Sequence, residues 1–159
     1  MSKIFSLKNL LVETKKSKSA KKKAVLVTGC FDVLHRAHIN FLKQAKKQGD
    51  ILLVGLETDK RVKELKGKNR PINNWAKRAD NLNKIKEISY IFPLSEDLGK
   101  KEIQEMLITQ LKPDVLAVSS HTPNIDRKKY IVQKYGGRLK IVFSHNPHFS
   151  TTKILGKII

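Results

Sequence analysis

Between Ala24 and Phe143, five short apolar runs alternate with segments of helical periodicity, and this alternation leaves few architectures open. The runs are Ala24–Thr28, Ile51–Leu56, Tyr90–Phe92, Val115–Val118 and Leu139–Phe143. Ile51–Leu56 is apolar throughout, as a strand covered on both faces requires. Helices are predicted over His35–Lys47, Asp59–Leu65, from Asn73 or Asn74 to near Lys86, over Lys100–Leu111, over Arg127–Tyr135, and from Ser150 to the last residue. Gly49 and Gly136-Gly137 stand where two of these must stop. Strand and helix in strict alternation with short links predict an α/β fold, a Rossmann-like doubly wound parallel sheet. The 159 residues suffice for one such domain with a real core.

The alternation starts only at Ala24. Before it, Ser6 is placed to cap a short helix in which Leu7, Leu10 and Leu11 share a face. Lys15 to Lys23 is nearly all Lys and Ser and reads as a mobile linker or exposed arm. The expected organisation is therefore a helix and linker over residues 1–23, then a single domain over 24–159.

The chain carries 33 Lys and Arg against 14 Asp and Glu, a formal charge of +19. An anionic partner follows, either a nucleic acid or a small phosphorylated substrate. The lysines are spread over nearly every predicted helix, with only three Tyr, six Phe and one Trp among them. A single-strand binder needs aromatic platforms beside its basic residues, so nucleic acid is the weaker expectation. No apolar run approaches the roughly 20 residues of a membrane span. The first residues lack the continuous apolar block of a secretory signal, and the one cysteine, Cys30, has no partner for an internal disulfide. These features predict a cytoplasmic protein without membrane contact.

The junction Thr28-Gly-Cys-Phe-Asp-Val-Leu-His35-Arg-Ala-His38 runs from the first strand through a tight turn into a helix. Residues three apart share a helix face, so His35 and His38 add two imidazoles to a helix start, which attracts anions through its free N–H groups and dipole. That combination suits a polyphosphate. Neither a G-x-x-x-x-G-K-[ST] phosphate loop nor a G-x-G-x-x-G dinucleotide fingerprint is present. With no third ligand near the two histidines, a metal centre is not expected there.

His35-Arg-Ala-His38 resembles the H-x-G-H signature of the nucleotidyltransferase superfamily, in its cytidylyltransferase-like branch. Phe149-Ser-Thr-Thr-Lys-Ile154 resembles that branch's second signature, and Leu65-Lys-Gly-Lys-Asn-Arg-Pro-Ile-Asn73, with Arg78 after it, resembles the family's lysine loop and following helix. Ile4-Phe-Ser-Leu-Lys-Asn-Leu-Leu11 is similar to the lead-in helix of the adenylyltransferase half of bifunctional heptose-phosphate enzymes. The resemblance implies transfer of a nucleotidyl group from an NTP to a phosphorylated sugar or small alcohol, with release of pyrophosphate. It implies catalytic roles for His35, His38 and Lys66, and nucleotide contacts from these three and from Cys30, Phe31, Arg78, His145, Phe149, Ser150, Thr151 and Thr152. Arg70 and Arg78 either touch a phosphate or pair with carboxylates. Mg²⁺ is expected as the ion an NTP carries, with Asp32 orienting the turn or standing near that ion through water. The resemblance further implies a homodimer.

The chain departs from the pattern in three places. Ala37 replaces the glycine between the histidines, and its methyl group narrows the approach to the helix start. His145 and His148 stand where glycerol-phosphate cytidylyltransferases have Arg and Gly. Ser119-Ser-His-Thr-Pro-Asn124 replaces a Gly-Asp-rich segment that helps bind base and acceptor. Lacking that Arg, the chain tilts towards ATP and a sugar phosphate; CTP with glycerol 3-phosphate or an amino-alcohol phosphate is the alternative.

Overall fold

In the computed structural model, which describes residues 1–144, five parallel strands stand in the order β3-β2-β1-β4-β5. They are β1 (Ala24–Gly29), β2 (Ile51–Leu56), β3 (Tyr90–Pro93), β4 (Val115–Ser119) and β5 (Arg138–Phe143). The helices are α1 (Leu7–Ser19), α2 (Arg36–Lys46), α3 (Asp59–Lys66), α4 (Trp75–Asn83), α5 (Lys101–Leu111) and α6 (Ile125–Lys134). The helix expected from Ser150, and with it His145, His148, Phe149, Thr151 and Thr152, lies outside the described residues.

Side chains alternate across a strand, so the central pair β1 and β2 builds two cores at once. Ala24, Leu26, Ile51 and Leu53 face one way and pack with Leu10 of α1, Leu107, Ile108 and Leu111 of α5, and Ile131 and Val132 of α6. Val25, Val27, Leu52, Val54 and Leu56 face the other way, against Leu42 and Ala45 of α2 and Ala79 and Leu82 of α4. The doubly wound expectation is met. Gly49 follows α2 without a side chain for a packing reason, because a Cβ there would lie 2.8 Å from both the Lys23 carbonyl and Val25.

The amino-terminal segment differs from its expectation. Lys15 to Ser19 are not a linker but the last turns of α1, and only residues 20–23 connect it to β1. Lysine is a good helix former, and cations in a last turn complement the helix dipole. Lys18 also donates to the Lys112 carbonyl at 2.6 Å. Leu10 is fully buried, Thr14 nearly so, Ile4 bridges Ile91 in parallel, and Phe5 meets Tyr90 edge-on at 5.0 Å. The segment is part of the same core.

Candidate active site

The strand order places the switch point of the sheet between β1 and β4, whose connections leave in opposite directions. In open α/β sheets the crevice beyond the carboxyl ends of such strands is where ligands bind. A cavity of about 690 Å³ opens there, lined by Thr28 and Gly29 at the end of β1, Val118 and Ser119 at the end of β4, and residues of α2, α5 and α6. Its size suits a nucleotide-scale ligand.

His35 caps α2 and His38 lies in its first turn, as the spacing predicted. Their rings stack at 3.8 Å with 23° between planes, and the His35 amide donates to His38 Nδ1 at 3.4 Å. Phe31 meets His38 edge-on at 5.5 Å. Burial, then the positive potential of His35 and Lys66, pushes the His38 pKa down to about 3, against a smaller opposing hydrogen bond to Val33. His38 is therefore a neutral imidazole at pH 7, able to donate an N–H without carrying charge. Phe31 holds a left-handed conformation at φ 45°, and its ring folds back on Gly29, where a Cβ would lie 2.8 Å from it. A side chain at position 29 would have to displace the Phe31 ring.

Lys66 ends α3 on the cavity wall, exposed, just before Gly67 at φ 108°. Ala37 also lines the cavity, as do Cys30 and Phe31. Burial, then the Glu57 carboxylate, raises the Cys30 pKa, which makes it a poor nucleophile.

Asp32 and Arg78 act as braces. Asp32 is buried and accepts from Arg70 Nε at 2.6 Å and from the amides of Ile72 and Asn73 at 2.8 Å. The Asn73 side chain donates in return to the Asp32 carbonyl. Burial alone raises the Asp32 pKa, but the bonds from Asn73, Ile72 and Arg70 together outweigh it and hold the carboxyl below its usual range. Of the two roles expected for Asp32, the structure supports orientation of the turn. Arg78 is fully buried, and its guanidinium donates to the Asn73 carbonyl, the Cys30 carbonyl and Asp59 Oδ1 at 2.7–3.0 Å. It does not line the cavity; of the two readings the sequence left open for it, phosphate contact and carboxylate pairing, the structure shows the pairing, with Asp59. Three of its five N–H donors are spent on the protein, one from each guanidinium nitrogen, and the side chain is buried beneath the turn.

Sequence reasoning missed a second polar group in the same cavity: Glu57 just after β2, Arg61 in α3, Gln104 in α5, and Arg127 and Lys128 in α6. The only signal was a buried-strand pattern running straight into a glutamate. Among the described residues, no group of three or more His, Cys, Asp and Glu is arranged to hold a metal ion.

A cavity at the switch point of a doubly wound sheet, entered by a histidine-capped helix, stands where α/β proteins of this class take their ligands. The chain belongs to the cytidylyltransferase-like family, whose model matches residues 26–155. It is 38% identical over 150 residues to the bifunctional protein HldE of Geobacter metallireducens, covering 94% of this chain and 29% of that protein. It is 37% identical to the protein of the same name from Campylobacter fetus, covering 98% and 31%. The chain thus spans about three tenths of the length of these relatives. Among solved structures it resembles the lipopolysaccharide core biosynthesis protein of Thermoplasma volcanium (TM-score 0.61, 24% identity, 79% of this chain and 97% of that one). Pantoate-beta-alanine ligase from Francisella tularensis has the same TM-score at 12% identity, covering 98% and 76%. These last two likenesses concern the fold. No helix of the described residues is long and apolar enough to cross a membrane.

Proposed function

We propose that this domain transfers a nucleotidyl group, the adenylyl group of ATP in preference to the cytidylyl group of CTP, to a phosphorylated sugar. The observation that carries this is the pair of stacked imidazoles at the start of α2, facing a cavity at the switch point with Lys66 on its wall. An oxygen of the acceptor phosphate attacks the α-phosphorus in line, and the bond to the β-phosphate oxygen breaks, releasing pyrophosphate. No protein nucleophile is required; positioned donors and charge supply the acceleration. His35 and His38 donate hydrogen bonds to the α- and β-phosphates, where charge builds as the leaving group departs. Lys66 approaches the same oxygens as a mobile point charge. Phe149, Ser150, Thr151 and Thr152 belong to this reading through the family signature, and His145 through its place in the register of the family's arginine, as further contacts of the nucleotide. Mg²⁺ enters as part of the NTP substrate, neutralising its phosphates.

The sugar-phosphate preference rests on the resemblance of the lead-in helix and lysine loop to heptose-phosphate enzymes. The same reading puts the protein in the cytoplasm, where NTPs are, and as a homodimer, checked by light scattering of the purified chain. The deciding experiment screens four NTPs against phosphorylated sugars and alcohols, reading pyrophosphate. ATP with a sugar phosphate should give the fastest release; faster turnover of CTP with glycerol 3-phosphate would move the assignment to the other subgroup, and no release from any pair would end it.

A further inference from the structure

We propose that Glu57, Arg61, Gln104 and Arg127 form a second subsite that recognises the hydroxyl groups of a phosphorylated polyol acceptor and rejects an acceptor bearing a fixed positive charge. The inference deepens the nucleotidyl-transfer reading and rests on it for the word acceptor.

The four side chains come from four places in the chain and line one cavity: Glu57 directly after β2, and the others in the opening turns of α3, α5 and α6. Glu57 is only 7% exposed. Glu57 Oε2, Arg61 Nε, Gln104 Oε1 and Arg127 Nε are all buried, and none has a hydrogen-bond partner among the described residues. Glu57 and Arg61 are an ion pair at 3.9 Å, too far apart for a hydrogen bond. Leaving buried polar atoms unpaired is costly, and four of them on residues lining one cavity call for a specific explanation.

Their chemistry selects the ligand. Two of the four atoms are acceptors, Glu57 Oε2 and Gln104 Oε1, and two are donors, the Nε–H groups of Arg61 and Arg127. A hydroxyl group both donates and accepts, so neighbouring hydroxyls on one carbon chain satisfy all four atoms. A primary ammonium satisfies the two acceptors at best, a quaternary one donates no hydrogen bond at all, and both meet Arg61, Arg127 and the half-buried Lys128 with like charge. The same excess of positive charge attracts the acceptor's own phosphate. Gly99 at the entrance to α5 gives the Arg61 guanidinium its place, because a Cβ there would stand 3.0 Å from Nη2.

The test is calorimetric titration of the full chain with pentose, hexose and heptose 1-phosphates and with phosphocholine, for the wild type, Glu57→Gln and Arg127→Met. At least one sugar phosphate should bind about tenfold more tightly than phosphocholine, and each variant should weaken it about tenfold, the cost of one charged hydrogen bond. ATP affinity should stay within about twofold, since neither side chain serves the triphosphate. Thermal melting of both variants controls for folding. Equal or tighter binding of phosphocholine, no sugar phosphate bound, or variants that bind like the wild type would overturn the subsite. The expected binding pattern without pyrophosphate release from any NTP would leave the subsite standing and remove nucleotidyl transfer. Release that is insensitive to both variants would do the reverse.

Discussion

At His38 the ring is enclosed by His35 on one face and Phe31 at its edge, and burial first, then the neighbouring positive charge, takes its pKa to about 3. In the unfolded chain the same imidazole titrates near 6.5. Between these values the unfolded state holds the extra proton, so the contribution is intact above pH 6.5 and is lost as pH falls towards 3. The wild type should lose up to about 1.4 kcal/mol of stability per pH unit in that window beyond what His38→Gln loses, measured by urea denaturation at stepped pH. Parallel curves for the two proteins would contradict the buried neutral ring. In catalysis, His38→Ala should lower kcat by about 10²-fold or more with little change in KM, because the imidazole acts where charge develops; a loss confined to KM would assign it to ground-state binding. Both histidines were legible in the sequence because a three-residue spacing has one geometric meaning at a helix start. Glu57 and Arg127 were not, since their meaning lies in four elements converging, which no local spacing records.

The elements were legible in proportion to the length and purity of their patterns. β2, apolar along its whole length, was found with its exact bounds, Ile51–Leu56. α6 was placed two residues late because it is capped by Asn124 in a left-handed conformation, a feature of backbone geometry that composition does not reveal. α1 was cut short because Lys and Ser suggested a solvated arm, whereas its apolar side is anchored by Leu10 and its end by Lys18. Leu10→Ala should therefore cost about 3 kcal/mol, as large-to-small changes at fully enclosed sites do. Deletion of residues 1–22 should lower Tm markedly and expose the β3 edge that Ile4 and Phe5 cover. An unchanged, cooperative melt of the truncated chain would restore the reading of that segment as dispensable.

Across the whole molecule, the excess of +19 is carried by many exposed lysines, and several of the ion pairs among the described residues are solvent-exposed. Such pairs contribute little, while the net charge repels itself. Raising NaCl from about 0.02 M to about 0.3 M should therefore raise Tm, because screening acts more on the long-range repulsion than on close pairs; a falling Tm would mean that local pairs dominate. Two loops of this charged molecule are nevertheless fastened by a single hidden anion. Asp32 receives the amide of Asn73, 41 residues away, and the guanidinium of Arg70, while its own backbone belongs to the turn that leads to the histidines. A substitution in residues 70–73 that breaks these bonds will therefore be felt at the turn leading into the histidines, although no side chain there touches an imidazole directly in the bonds described.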